Sequence, residues 1–253
     1  MTAAPKIGLM LYTIRDECAR DFEASLRTVA DLGFDGVELF DLHGHDPSTV
    51  RGWLNELGLT VAGRHAGLAA LEHDAAGLAD ELGVLGSDRI VLSWIDPPET
   101  AAAGRAATER IEGLARHAHE LGLRFGFHNH WAEVPPLDGG PSVLEQLAEL
   151  PDDLLWFELD LGWAWEAGAD PVELLRRLQG RSPLVHAKDL RARGTQEFCP
   201  VGDGAVGYER VLPAALELGV EWLLVEQDEI DGPPFEAVAR SLAAVRRAVE
   251  VPA

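Results

Sequence analysis

Short apolar runs alternate with longer amphipathic stretches along most of this chain. The runs are nearly continuous in apolar residues, which is typical of strands buried on both faces of a parallel sheet. The stretches between them repeat apolar residues at helical spacing. The predicted strands are Ile7–Tyr12, Gly36–Phe40, Leu59–Arg64, Arg89–Trp94, the first half of Leu123–Glu133, Leu154–Asp160, Leu184–Lys188 and Trp222–Glu226. The predicted helices are Asp21–Asp31, Pro47–Gly58, residues 71–83, Glu99–Leu121, Pro171–Leu178, Tyr208–Leu218 and Phe235–Val249.

This alternation predicts a single α/β domain over residues 1–253. Eight strand–helix units at this chain length favour a (β/α)8 TIM barrel. A doubly wound open sheet is the alternative, but that fold usually carries a glycine-rich turn after its first strand. Here the first strand runs into Tyr12–Asp16, which contains no glycine. Gly33 and Gly219 follow helical stretches directly and are expected to end them.

The composition of the chain limits the classes of partner that we expect it to bind. The chain of 253 residues carries 43 acidic and 21 basic residues, for a net charge of −22. Such a surface repels nucleic acid, which requires clustered Lys and Arg. We expect no membrane partner, because no apolar run is long enough to span a bilayer and Met1–Lys6 lacks the apolar core of a signal peptide. Two cysteines, Cys18 and Cys199, form no disulfide framework, so we expect a cytoplasmic protein.

Four strands end in pairs of polar residues that share a side-chain parity. The pairs are His128 with His130, Glu158 with Asp160, His186 with Lys188, and Glu226 with Asp228. In a barrel of parallel strands these ends meet at one mouth, where the active site of such folds lies. Converging carboxylates repel one another unless a cation or proton lies among them. Nitrogen and oxygen donors without thiolate suit one divalent ion, with Mn²⁺ preferred and Mg²⁺, Co²⁺ or Zn²⁺ as alternatives. A hydrogen-bonded polar plug without an ion is the competing interpretation.

The sequence resembles the sugar phosphate isomerase/epimerase family, whose members are xylose-isomerase-like TIM barrels. The resemblance extends over nearly the whole chain and rests on several short segments in the same order. These are Leu11–Arg15, Gly33–Glu38, Phe127–His130 with Glu133, Asp160–Trp163, Ala167–Pro171, His186–Asp189, Val201–Gly204 and Val225–Asp228. Members of this family hold one divalent ion at the barrel mouth.

The resemblance implies that Asp160, His186 and Glu226 are metal ligands. The fourth ligand position is held by His128, where better-known epimerases of the family carry glutamate. Those enzymes use two metal-bound glutamates on opposite faces of the substrate carbon. A metal-bound imidazole nitrogen cannot also serve as a base, so this two-sided proton transfer is not expected to operate unchanged here.

Further residues have candidate roles in catalysis or substrate binding. Glu158, Lys188, Glu226 and Glu133 are candidate acid–base groups, with a simple ion pair between Lys188 and Glu158 as an alternative. The candidate substrate-binding residues are His65, Trp94, His130, Trp163 and Arg191. A core or capping role for His65, rim packing for the tryptophans and an unspecific surface role for Arg191 are the competing interpretations.

The expected function is a metal-dependent isomerase or epimerase of a sugar, keto-sugar or polyol derivative. Its reaction would start with proton abstraction beside a carbonyl and pass through an enediolate. A lyase that dehydrates a keto-inositol or cleaves a 3-keto-glycoside is the alternative, because elimination starts with the same step. A non-catalytic sugar-binding barrel is a third hypothesis, and a homo-oligomer is left open.

Overall fold

Eight parallel strands close into a barrel in the computed structural model of this protein, which describes residues 4–138 and 140–250. Each barrel strand pairs with the next barrel strand along the chain, and the last pairs with the first. The barrel strands are β1 (Lys6–Met10), β2 (Gly36–Leu39), β3 (Thr60–Ala66), β4 (Arg89–Leu92), β5 (Arg124–His128), β6 (Trp156–Asp160), β7 (Leu184–Ala187) and β10 (Trp222–Val225). The predicted (β/α)8 TIM barrel is therefore confirmed.

Helices surround the barrel and cover its outer face. They are α1 (Arg15–Arg20), α2 (Phe22–Leu32), α3 (Pro47–Leu57), α4 (Leu68–His73), α5 (Ala75–Leu85), α6 (Ala101–Glu120), α7 (Val143–Ala148), α8 (Leu161–Glu166), α9 (Pro171–Arg177), α10 (Tyr208–Glu217) and α11 (Pro234–Glu250). None of these helices combines the length and the apolar character that crossing a bilayer requires.

The helix ends follow the capping chemistry of the sequence. Asp21 accepts a hydrogen bond from the backbone N–H of Ala24 at the start of α2, and Thr100 caps α6 in the same way. Gly33 ends α2 with φ of 97°, a left-handed conformation that glycine adopts at little cost. These caps fix the start of α2 and α6 and the end of α2.

The structure differs from the predicted elements mainly in the loops. β1 ends at Met10 rather than at Tyr12, because Leu11–Ile14 form a 3₁₀ turn. The helix predicted at residues 71–83 is two helices, α4 and α5, which meet at Asp74. The pattern did not predict α1, α7, α8 or the antiparallel hairpin of β8 (Asp189–Leu190) and β9 (Phe198–Cys199). Elements of two to six residues are too short to show a period.

The amino-terminal end of the barrel interior is filled by apolar side chains. Ala62, Val91, Trp156, Leu184, Trp222 and Leu224 form a buried cluster inside the strands. Two glycines make room for its indole rings: a Cβ on Gly126 would lie 2.5 Å from Trp156, and one on Gly36 would lie 2.7 Å from Trp222. This apolar layer closes one end of the barrel and leaves the opposite end for polar residues.

Because Gly36 faces both Trp222 and the carbonyl oxygen of Thr60, a methyl group there has no space. We expect Gly36→Ala to lower the free energy of unfolding by about 1–3 kcal/mol through overpacking. Gly52→Ala is the matched control, since Gly52 lies within α3 and nothing approaches its Cβ position within 4 Å. That change should stabilise the protein by roughly 0.5–1 kcal/mol. Urea denaturation measures both, and equal effects would show that Gly36 is not sterically required.

Candidate metal and substrate site

Buried ionisable side chains meet at the carboxyl ends of the barrel strands. Strand pairing places His128 beside Glu158, and Asp160 beside His186. Each side chain of the group is at most 7% exposed. The group consists of Glu38, His65, His128, Glu158, Asp160, His186 and Glu226. Six of them come from five strands, and Glu226 directly follows β10, so closure of the barrel brings together residues distant in sequence.

Two overlapping sets of four side chains within this group could hold a metal ion. The first set is His65, His128, Glu158 and His186, and the second is His128, Asp160, His186 and Glu226. In each set the potential ligand atoms lie within 4.8 Å of one another. The second set has the same members as the ligand set expected from the sequence, and its use as the ion site stays a prediction.

Both ring nitrogens of His186 contact carboxylates. Its Nδ1 lies 2.7 Å from Glu226 Oε2, and its Nε2 lies 2.7 Å from Glu38 Oε2. Burial acts to lower the pKa of His186, but Glu158 and Glu226 outweigh it and hold that pKa well above its ordinary value. Burial, reinforced by the charge of Glu158, raises the pKa of Glu38 to about 7.

Glu38 was not predicted as a site residue. The segment Gly33–Glu38 was recognised only as part of a family resemblance, although Glu38 follows the same rule as the other site residues. It is a fully buried carboxylate near the end of an apolar barrel strand. Its sequence signal is the same as that of the last four strands, an ionisable residue at the end of an apolar run.

His65 and Glu158 form a close pair under the mouth. His65 Nε2 lies 2.5 Å from Glu158 Oε2, which is also 3.2 Å from His128 Nδ1. Burial acts to lower the pKa of His65, but the Glu38 and Glu158 carboxylates raise it above its ordinary value. Burial acts to raise the pKa of Glu158, but His186 and His65 hold it well below its usual range. Both shifts favour the ion pair, with the proton on His65 and the charge on Glu158.

The other two histidines of the mouth are neutral. Burial lowers the pKa of His128 to about 3. Burial, reinforced by the nearby His128 and Lys188, also lowers the pKa of His130 far below its ordinary value. A neutral imidazole is the form that binds metal, so His128 needs no proton removed before it can act as a ligand.

Lys188 is surrounded by carboxylates. Its Nζ lies 2.9 Å from Asp160 Oδ2, 2.8 Å from Glu226 Oε2 and 3.0 Å from Asp228 Oδ2. Burial acts to lower the pKa of Lys188, but these three carboxylates hold it well above its usual value. The ion pair with Glu158 considered from the sequence is replaced by these three contacts.

A cavity of about 580 Å³ opens above the cluster. Several residues predicted from the sequence line it, namely His65, Trp94, His128, His130, Trp163 and Glu226. Arg15, Tyr12, Phe40, Trp131 and Phe198 complete much of the wall. A cavity of this size is in the range of small-molecule sites.

Two predicted site residues lie away from this cavity. The Glu133 carboxylate accepts a hydrogen bond from the backbone N–H of His130 at 2.8 Å, so it stabilises its own turn. Arg191 lies in the loop between β8 and β9. Together with Thr195 and Glu197 it lines a second surface pocket. Neither residue belongs to the described wall of the mouth cavity, and the expected catalytic role of Glu133 and substrate-binding role of Arg191 lack support from this geometry.

The donor atoms of the cluster fit a divalent ion. The buried oxygens Glu38 Oε1 and Glu158 Oε1 have no hydrogen-bond partner within the described part of the chain. Buried polar atoms without partners are rare and costly, and they are expected where an ion or water is held. Imidazole and carboxylate donors without thiolate suit Mn²⁺, Co²⁺ or Zn²⁺.

The fold and this cluster define a class of protein. A family model described as xylose isomerase-like TIM barrel matches residues 26–248. The chain belongs to that family.

Named relatives and solved structures agree with this placement. An inosose dehydratase of Geobacillus kaustophilus is 28% identical over 251 residues, covering 81% of this chain and 79% of the relative. A sugar phosphate isomerase/epimerase structure from Parabacteroides distasonis superposes with a TM-score of 0.84 at 21% identity, covering 98% of this chain and 96% of that chain. A structure of the IOLI protein with a bound zinc atom has a TM-score of 0.74 at 16% identity, covering 96% and 98%. The two structural likenesses show the fold alone.

The two candidate ion positions can be separated by variants that each remove a donor from one set. Asp160→Ala should weaken Mn²⁺ binding by at least about 100-fold if the ion uses Asp160 and Glu226, since loss even of a residue that only supports a ligand costs roughly 10–100-fold. Glu158→Gln should weaken it far less. Isothermal titration of both variants, with circular dichroism to check folding, measures the difference. The reverse order would place the ion beside His65 and Glu158.

Proposed function

We propose that this protein is a divalent-metal-dependent lyase that removes water from a cyclic keto-polyol of the inosose type. The observation that carries the proposal is that a carboxylate, Glu226, and an imidazole paired with a carboxylate, His65, line the same cavity. One base and one acid are the groups that a β-elimination requires. The activity named for the Geobacillus kaustophilus relative supports this choice.

Glu226 is the proposed base. Burial acts to raise the pKa of Glu226, but Lys188 and His186 hold it well below its usual range, so the carboxylate is ionised. It would remove the proton from the carbon beside the substrate carbonyl. The electron pair of that C–H bond then forms an enolate, and a carbon–carbon double bond results when the hydroxyl on the next carbon leaves.

His65 is the proposed acid. It would donate its proton to the departing hydroxyl, which leaves as water. Glu158 does not line the cavity and would act through His65, because its Oε2 lies 2.5 Å from His65 Nε2, where it orients the imidazole and raises its pKa. Glu158 is therefore a positioning residue in this proposal rather than the base considered from the sequence.

The proposed ligands of the ion are His128, Asp160, His186 and Glu226, and Mn²⁺ is the proposed ion. When bound, such an ion would polarise the substrate carbonyl and make the neighbouring C–H bond more acidic. Glu38 would accept the Nε2 proton of His186 and leave Nδ1, on the Glu226 side, as the ligand atom.

Isomerisation or epimerisation is the second candidate, because it begins with the same proton abstraction. What disfavours epimerisation is His128, which is neutral and buried where the better-known epimerases carry a second glutamate. Epimerisation needs proton transfer on both faces of the reacting carbon. A one-sided isomerisation remains compatible with Glu226 and His65, so the test must distinguish loss of water from rearrangement.

We expect the Mn²⁺-loaded protein to convert an inosose to a product lighter by one water, which mass spectrometry detects. His65→Asn should lower the rate of dehydration by about 10²–10⁴-fold, because asparagine cannot supply the proton. The same variant should still exchange the substrate α-proton with heavy water, since Glu226 is intact. Glu226→Gln should lose both reactions.

Proton exchange with rearranged product and no loss of water would show that the protein is an isomerase. Binding of the sugar with neither exchange nor product, in metal-loaded protein, would favour a non-catalytic barrel.

Glu38 supplies a second test through metal binding alone. Glu38→Leu should weaken Mn²⁺ binding by roughly 10–100-fold, as loss of the carboxylate behind a metal-binding histidine does. Glu38→Gln should retain much of the affinity, because its carbonyl oxygen can accept the same proton. Glu133→Gln is the matched control, as a buried glutamate outside the cluster, and should bind as the wild type. Equal affinity of Glu38→Leu and wild type would contradict the proposed orientation of His186.

A further inference from the structure

Lys188 contacts two carboxylates of the proposed ion site. Asp160 Oδ1 accepts a hydrogen bond from the backbone N–H of Trp163 at 2.7 Å, and Asp160 Oδ2 lies 2.9 Å from Lys188 Nζ. Glu226 Oε2 lies 2.8 Å from Lys188 Nζ and 2.7 Å from His186 Nδ1. A divalent ion bound by Asp160 and Glu226 would therefore meet an ammonium group at both carboxylates, and two cations this close repel each other.

The backbone of Lys188 is held in place. The Tyr208 hydroxyl accepts a hydrogen bond from the Lys188 N–H at 2.8 Å and donates one to the Lys188 carbonyl oxygen at 2.9 Å. A Cβ on Gly162 would collide with that same carbonyl oxygen, so the backbone of α8 already lies against it. The Lys188 side chain is 1% exposed. Its ammonium group can therefore change partners only by rotation of its own side chain within the protein.

A third carboxylate, that of Asp228, gives Lys188 a partner outside the ion site. Asp228 Oδ2 lies 3.0 Å from Lys188 Nζ, and Asp228 belongs to neither set of potential metal ligands. It lines the cavity together with Trp163 and Phe198, whose ring centres lie 5.1 Å and 5.9 Å from Lys188 Nζ. Aromatic faces at these distances attract an ammonium group. Lys188 thus keeps three favourable contacts after it releases the two carboxylates of the ion site.

We infer that Lys188 takes the place of the ion in the ion-free protein, and that Asp228 holds Lys188 away from the ligands when the ion binds. Asp228 is then a positioning residue, because it is no ligand of the ion and acts through Lys188. The inference rests on the proposed function only in its ion ligands, Asp160 and Glu226, and is independent of the reaction that the protein catalyses.

The first consequence concerns the stability of the ion-free protein. Lys188→Met should lower its melting temperature, because removal of one partner leaves buried carboxylates without a compensating charge. Saturating Mn²⁺ should raise the melting temperature of this variant by more than that of the wild type, since an ion that binds more tightly stabilises the folded state more. Thermal unfolding followed by circular dichroism, with and without Mn²⁺, measures both effects.

The decisive test is a double-mutant cycle on Mn²⁺ affinity, measured by titration calorimetry of chelator-treated protein. Burial raises the pKa of Asp160 to about 6 and raises that of Asp228 above its ordinary value, so the titration is made at pH 8 to keep both carboxylates ionised. Lys188→Met should strengthen Mn²⁺ binding by about tenfold or more, and Asp228→Asn should weaken it by about tenfold. In protein that already carries Lys188→Met, Asp228→Asn should change the affinity by less than about threefold.

Two matched controls make the same changes in net charge. Glu229→Gln removes a carboxylate from the wall of the same cavity, and Glu229 is exposed and is not among the three carboxylates that contact Lys188. Lys6→Met removes the other lysine of the chain, which is exposed at the start of β1 and lies 5.1 Å from the centre of the Trp222 ring. Salt screens exposed charges, so each control should change Mn²⁺ affinity by less than about threefold.

Equal effects of Asp228→Asn with and without Lys188 would overturn the inference, because Asp228 would then act on the ion directly through its charge. Unchanged or weaker Mn²⁺ binding by Lys188→Met would overturn it as well. If Lys188→Met does not fold, the comparison of Asp228→Asn with Glu229→Gln decides, and equal losses of affinity would contradict the role of Asp228.

The same measurements separate this inference from the proposed function. Failure of the wild type to bind Mn²⁺ would overturn both the proposed ion site and the inference. Tight Mn²⁺ binding without the expected coupling between Asp228 and Lys188 would overturn the inference alone. The expected coupling in a protein that does not dehydrate an inosose would sink the proposed lyase activity and leave the inference standing.

Discussion

The burial of four carboxylates at one end of the barrel is the constraint on which the rest of the site depends. Glu38, Glu158 and Asp160 are fully buried, and Glu226 is 4% exposed. Each would be strongly unfavourable in its ionised form without a partner. The fold meets this cost in two ways. His65, His186 and Lys188 are buried beside the carboxylates, and the pKa values of Glu38 and Asp160 rise to about 7 and 6, so that these two can hold protons near neutral pH.

That arrangement also separates the roles of chemically similar groups. Cationic neighbours hold the pKa values of Glu158 and Glu226 well below their usual range. The pKa of Glu38 is instead raised by burial and by the charge of Glu158. Carboxylates whose environments drive their pKa values apart are a frequent sign of assigned acid and base functions. The Glu38 and Glu158 carboxylates raise the pKa of His65, whereas burial lowers the pKa of His128 to about 3. Side chains of the same type therefore acquire different pKa values from their positions in the barrel.

Much of this could be predicted from the sequence because its signals are local and repeated. Short apolar runs, capping residues and strand-end pairs predicted the barrel and gathered His128, Asp160, His186 and Glu226 at one mouth. Arg191 was predicted only as a candidate substrate-binding residue. The structure shows a short antiparallel hairpin there, and two-residue strands leave no periodic signal. Glu133 was grouped with the site by nearness in sequence, yet its carboxylate binds the backbone of its own turn.

Pairing between distant strands could not be read from local patterns. Glu38 and His186 are 148 positions apart and meet only because the barrel is closed, with β2 and β7 facing each other across its interior. Lys188 shows the same limit in another form. Its three partners come from two further strand ends, and two of them, Asp160 and Glu226, are also proposed ligands of the ion. An ammonium group placed among those carboxylates reduces their mutual repulsion by itself. An ion held by the proposed ligands would therefore compete with Lys188 for the oxygens of Asp160 and Glu226.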